Sequence, residues 1–255
     1  YCICMSGLYT GAAMGFGMNF KEAILAVIVG NVILSVYGGL IGAAGAREGV
    51  STSMLARHTF GREGSKVIGI LLAAVMAGWY AVQVGFFGST MSALFPNGGI
   101  ITSQYVAAFW GGILMMVTAY MGYKGLNILS YIAVPSIAIL SVVGVCVAVK
   151  GSGGWNAIMN LVPPKPMTIS ASIVAIVGSF AGGAAAQSDI TRYAKDAKTS
   201  WLGTVFGYLI ANTFVILAGY LITAATGESD PPVAFLAMGL GVAALLILIL
   251  AQWTT

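Results

Sequence analysis

The sequence predicts an all-α integral membrane protein, and three observations carry the prediction. Only 7% of its 255 residues are charged while 59% are hydrophobic. A soluble domain carries about a quarter charged residues, so this chain cannot face water over its whole surface. Its apolar runs are continuous over roughly the 20 residues that an α-helix needs to cross a bilayer. They do not alternate at every second position, which excludes a β-barrel. The charges, finally, collect in the stretches between those runs.

On that ruler the chain opens with a partial span over 1–16, already apolar in YCICMSGLYTG. Further spans follow at 22–45, 66–94, 103–121, 128–149, 169–187, 201–224 and 232–255. The connectors carry the charges and the turn residues: AREGVSTS and ARHTFGREGSK, then FPNGG, GYKG, KGSGGWN, PPKP and TGESDPP. The last span ends on LILAQWTT, still apolar. The expectation is one transmembrane domain, incomplete at both ends and covering about helices 1–8.

Counting cations by connector gives an orientation. With a cytoplasmic amino terminus, Arg47, Arg57, Arg62, Lys66, Lys124, Arg192, Lys195 and Lys198 lie inside, and Lys21, Lys150 and Lys165 outside. Eight against three obeys the positive-inside rule and predicts a multi-pass protein of the inner (plasma) membrane. The net charge of +4 is therefore membrane topology and not a nucleic-acid footprint, since no basic face or nucleic-acid motif accompanies it. Cys2, Cys4 and Cys146 read as buried thiols without metal-ligand spacing. No nucleophile–base pair, phosphate loop or carboxylate dyad occurs, so an enzyme is not expected and no cofactor is called for.

No ionisable residue falls in the middle of any span, where one would cost ~2.5–3.5 kcal/mol and normally mark an ion or proton path. Any coupling cation must then be held by carbonyl and hydroxyl oxygens. Within the third span, GWYAVQVG (78–85) spaces Trp79 and Gln83 by four residues, on one helix face. An indole that can stack and an amide that can donate and accept suit a flat heterocycle such as a nucleobase. The same pair also serves as an interface anchor and an interhelical bond. VGSFAGGAAAQSD (177–189) puts Ser179 and Phe180 before Gly182 and Gly183. Adjacent glycines weaken a helix by ~1 kcal/mol each relative to alanine. Broken helices line transporter sites, though close helix packing is the commoner use of membrane glycines. Ser6, Gly7, Thr10 and Gly11 suggest a comparable interruption in the first span. Five helices separate the two, as a five-plus-five inverted repeat would require.

Longer stretches carry a resemblance. LAVIVGNVILSVYGGLIGAAGAREGVSTSMLARHTFG (25–61), GWYAVQVG (78–85), LSYIAVPSIAIL (129–140), VGSFAGGAAAQSDITRYAKDAK (177–198) and QWTT (252–255) resemble the nucleobase:cation symporter family, and most the bacterial cytosine permease branch. The resemblance implies a LeuT-type fold of two inverted five-helix repeats with substrate at mid-membrane. It implies that Trp79 stacks on the base, Phe180 encloses its other face, Gln83 bonds it, and Ser179 and Gly182 contact it from the sixth span. Thr254 and Thr255 match the hydroxyl ligands of a coupling ion, Ala251 its carbonyl donor, and Cys4 lies near the first-helix donors. That oxygen set suits Na⁺; as plain sequence, the threonine pair could equally bond its own backbone. Met76 and Ala251 stand where cytosine permeases carry a glutamine and an asparagine, so the base carried need not be cytosine.

The function implied is import of a nucleobase or related planar heterocycle by cation-coupled alternating access, with Na⁺ the expected ion. Proton coupling and an amino-acid or osmolyte carrier on the same fold are the alternatives. A channel is disfavoured, as no repeated ring of pore-lining polar residues occurs.

Overall fold

A computed structural model describes residues 2–163, 166–241, 249 and 253. The described residues form helices α1 (Met5–Gly15), α2 (Phe20–Glu48), α3 (Thr52–Leu94), α4 (Gln104–Tyr120), α5 (Gly122–Gly151), α6 (Trp155–Met159), α7 (Ile169–Ala185), α8 (Gln187–Thr191), α9 (Ala197–Phe206), α10 (Thr213–Thr226) and α11 (Pro231–Ala237), with a π-helical turn Gly207–Asn212 joining α9 to α10. The runs Phe20–Glu48, Thr52–Leu94, Asn127–Gly151 and Ala197–Thr226 are each long and apolar enough to cross a membrane; α4 and α7 are shorter apolar helices.

Local chemistry explains several boundaries. Asp196 caps α9 by accepting the Thr199 N–H at 2.7 Å, and those hydrogen bonds hold its carboxyl below the ordinary carboxylate range. α11 starts on Pro231, whose missing N–H costs nothing at a helix start. The preceding Asp230 is pushed the other way. Burial raises its carboxyl; the Tyr9 hydroxyl donating to it at 3.0 Å opposes that, and Glu228 adds to it. Within α3, Gly61 at φ +69° takes a left-handed conformation and divides the element into two helical stretches.

Some element positions differ from the sequence expectation. The stretch 52–66, expected as connector, is helical on both sides of Gly61, because Thr52–Phe60 holds no proline and its glycine falls at the break. The interruption expected at Gly182 and Gly183 is absent: α7 runs through both to Ala185, and the break comes at Ala186. Likewise α1 is continuous through Gly7 and Gly11, with the extended residue Cys4 before it. At Gly11 and Gly182 a neighbouring helix fills the space the glycine leaves. Of the last expected span only Pro231–Ala237 is described as a helix; most of 242–255 lies outside the described residues.

The chain divides into two compact units, residues 1–24, 81–169 and 214–255, and residues 25–80 and 170–213. The first is built on the crossing of α1 and α10. Around it Met5, Leu8, Phe87, Ile137, Val215, Ile222 and Phe235 form an apolar core, and the Tyr220 hydroxyl donates to the Met18 carbonyl at 3.0 Å.

The second unit is built on one face of α2. Gly30, Gly38, Gly42 and Gly45 let α2 approach α7 and α8 so closely that a Cβ would press on Ile176, Ala184, Gln187 and Ser188 respectively. Hydrogen bonds follow the same face. The Tyr37 hydroxyl donates to the Ala181 carbonyl at 2.7 Å, and Thr191 Oγ1 to the Gly42 carbonyl at 2.9 Å. Farther along, Asn31 Nδ2 donates to Thr213 Oγ1 at 3.0 Å and accepts from Asn212 Nδ2 at 2.7 Å. Both asparagines are fully buried. Removing one member strands the others, at about 1–3 kcal/mol for each buried polar group left unpaired. Asn31→Leu should therefore lower the thermal midpoint of the purified protein clearly. Asn31→Leu with Asn212→Leu should cost less than the sum of the two single changes.

Candidate substrate site

Ser200 and Thr204 of α9 and Tyr208 and Asn212 of the π turn recur every four residues and are all buried, one continuous face. Tyr208 stands edge-on to Phe180, centroids 5.9 Å apart at 80°, and its hydroxyl reaches Gln187 Oε1 at 3.5 Å. Phe180 in turn faces Trp79 of α3 at 6.3 Å and 48°. Trp79, Phe180 and Tyr208 thus form an aromatic row within one unit, with Phe180 buried at its centre and Trp79 half-buried at its end.

The spacing bears on what this row can hold. A flat ring clasped between two aromatic faces needs van der Waals contact of 3.5–4.0 Å on each side, or about 7–8 Å between the outer rings. At 6.3 Å and tilted, Trp79 and Phe180 touch each other. They would have to part by about 1 Å and turn parallel to accept a base between them.

Gln83 lies one turn beyond Trp79 on α3, in a span free of charge. It is 2% exposed, and both Oε1 and Nε2 are buried without a hydrogen-bond partner among the described residues. An amide so placed forfeits the bonds it would make to water, and most native buried polar groups are satisfied. Tyr9 and Phe86, which belong with Gln83 to the first unit, stack at 4.0 Å and 8°.

The other expected positions vary. Ser179, half-buried, donates its hydroxyl to the Ile176 carbonyl at 2.8 Å, one turn back on α7, leaving only acceptor capacity for a ligand. Gly182 lets α7 pass α3: a Cβ there would collide with Val75 and come within 3.4 Å of Met76. Cys4 is buried, with Sγ 2.9 Å from Ser6 Oγ, and its carbonyl accepts the Gly7 N–H at 3.2 Å. Ala251, Thr254 and Thr255 lie outside the described residues. Among the described residues no group of three or more His, Cys, Asp or Glu could hold a metal ion, so a cation would need neutral oxygens. Tyr208 and Gln187 were not singled out in the sequence. Tyr208 falls in phase with Ser200 and Thr204 at four-residue spacing, the one signal that could have placed it on a buried face.

Two solved structures of the transporter Mhp1 share the fold. One, in an inward-facing conformation, superposes with a TM-score of 0.82 at 20% identity, covering 99% of this chain and 59% of Mhp1. The other, a closed conformation of this nucleobase-cation-symport-1 family transporter with bromovinylhydantoin bound, gives 0.80 at 20% identity, covering 100% and 60%. In sequence, the chain is 33% identical over 250 residues to the cytosine permease of Escherichia coli (strain K12), covering 98% of this chain and 58% of that protein. The family model for permeases of cytosine/purines, uracil, thiamine and allantoin matches residues 2–253. The chain belongs to this family and has the LeuT-type fold its motifs imply, as a segment spanning about three-fifths of these relatives.

Proposed function

We propose that the protein is a secondary-active symporter that imports a nucleobase or related planar heterocycle of the cytosine/purine class across the cytoplasmic membrane by alternating access. Its amino terminus faces the cytoplasm, and Na⁺ is the coupling ion. The observation that carries the substrate reading is Gln83, a buried carboxamide with neither polar atom paired among the described residues. A heterocycle with adjacent donor and acceptor edges would satisfy both atoms at once, and no lipid chain or apolar side chain can. Trp79 and Phe180 supply stacking surface, with Tyr208 braced against Phe180 as a positioning residue. Ser179 accepts from the ligand, and Gly182 keeps α7 close to α3.

For the ion, Thr254, Thr255, the Ala251 carbonyl and a donor near Cys4 offer hard neutral oxygens. The lack of a buried carboxylate in the spans favours Na⁺ over a proton relay. At ~100 mV one inward positive charge supplies ~2.3 kcal/mol, and a tenfold ion gradient adds ~1.4 kcal/mol. One-to-one coupling then sustains accumulation of several hundredfold.

The test is uptake of labelled base by cells expressing the full-length protein, competed by uracil, cytosine, hypoxanthine and hydantoin. Competition by at least one of these is expected. Replacing sodium with choline at fixed pH should reduce uptake at least tenfold; undiminished uptake would remove Na⁺ and leave the proton. Competition by amino acids and by none of the heterocycles would move the protein to the osmolyte class.

A further inference from the structure

α2 and α9 diverge along one side of the second unit and leave two cavities in line. Toward the middle of the span, one of about 370 Å³ is lined by Val32, Val36 and Leu40 of α2, by Trp201 and Val205 of α9, and by Leu209 of the π turn, with the Ser35 hydroxyl its one aliphatic polar group. At the charged end of the helices, one of about 580 Å³ is lined by Ala43, Arg47 and Glu48 of α2, Leu55 and His58 of α3, and Ala197 of α9.

The lining residues fall at regular helical spacing. Residues 32, 36, 40, 43 and 47 form one stripe on α2, and 197, 201, 205 and 209 form the facing stripe. Both stripes pass from one cavity to the other at the same height, where the Trp201 ring lies against Gly39, 2.9 Å from where a Cβ would stand. The two cavities follow one another along these stripes as a groove, apolar along the span and lined by Arg47, Glu48 and His58 at its mouth, with an indole at the junction where tryptophan is favoured at the membrane–water boundary.

Its apolar limb is open: Val36 is 55% and Leu40 62% exposed. The Arg47 side chain is also exposed, and its contact with Glu48 is a long one of 3.8 Å, too weak to hold the guanidinium there. Arg47, Glu48 and His58 line the mouth, and next to its lining residues in sequence stand Arg57, Lys195 and Lys198 against Asp196, a cationic surplus in the flanking segments.

We propose that this groove binds one anionic phospholipid, with an acyl chain along Val32, Val36, Leu40, Val205 and Leu209 and its phosphate at Arg47 and His58. The length and apolarity of the limb match a chain, and the surplus of cations flanking its mouth matches an anionic and not a zwitterionic headgroup. Neither the transported substrate nor the coupling ion enters this argument.

The full-length protein, purified and incubated with phosphatidylglycerol or with phosphatidylcholine of the same chains, is examined by native mass spectrometry. One phosphatidylglycerol should remain bound where phosphatidylcholine is lost. Arg47→Gln should weaken retention about fivefold, the worth of one cation near an anionic lipid. Leu40→Trp, which fills the apolar limb from an exposed position, should weaken it comparably. Equal retention of the two lipids, or unchanged retention in both variants, would overturn the proposal. So would a structure of the full-length protein with another of its own segments in the groove.

Discussion

Replacing Gln83 with leucine should move stability and binding in opposite directions. Among the described residues the amide is buried with two unpaired polar atoms, a burden of about 1–3 kcal/mol. Leucine has a similar volume and no polar atoms. The thermal midpoint of the purified Gln83→Leu protein should therefore rise by a few degrees. Affinity for the heterocycle should fall by roughly 5- to 150-fold, the equivalent of about 1–3 kcal/mol in lost hydrogen bonds. Trp79→Ala should lose a similar factor from stacking, about 1–3 kcal/mol per base, but without the gain in stability, because the half-buried indole packs on Phe180. Binding by isothermal calorimetry and unfolding by fluorescence would read both signs. A Gln83→Leu protein that melts lower and binds unchanged would make the amide structural and remove the substrate site from this part of α3.

Much of the architecture was legible because membrane solvation leaves few choices. Continuous apolar runs must be helices, and charges must lie between them. The long motif over residues 31–61 also has a local physical meaning. Asn31 holds the buried network with Asn212 and Thr213, Tyr37 ties α2 to α7, and Gly42 and Gly45 admit α8.

The site was legible only in part. Trp79 and Gln83 could be paired by spacing on one helix, because four residues are one turn wherever the helix lies. Tyr208 could not. Its approach to Phe180 depends on which helix packs against which, and spacing within one helix does not say that. The glycine pairs misled for a related reason. A glycine that frees the backbone and a glycine that admits a neighbour look alike in sequence, and the outcome depends on what packs against it. At Gly182 the neighbour is Val75, and the helix continues.

The same ambiguity in the first span can be settled by substitution. Gly11→Val should prevent the protein from folding stably, and Gly219→Val should do the same from the other side. α1 and α10 cross with backbone against backbone. A Cβ at Gly11 would collide with the Ile216 carbonyl oxygen and stand 2.7 Å from the Tyr220 nitrogen; one at Gly219 would collide with the Leu8 carbonyl oxygen. Side-chain tips can swing aside, whereas helical backbone bonded along its own axis cannot. The cost should reach or exceed the ~3 kcal/mol upper end for overpacking, a large share of the ~5–15 kcal/mol that holds a typical domain together. Gly203→Ala is the control, since nothing lies within 4 Å of that position; it should be neutral or stabilising by up to ~1 kcal/mol. Fluorescence-detected gel filtration of the expressed full-length variants would show loss of the monodisperse peak for Gly11→Val and Gly219→Val but not for Gly203→Ala. If Gly11→Val instead folded and melted normally while losing uptake, the first-span glycines would serve an opening helix at the substrate and ion sites, and the close crossing would not be what requires them.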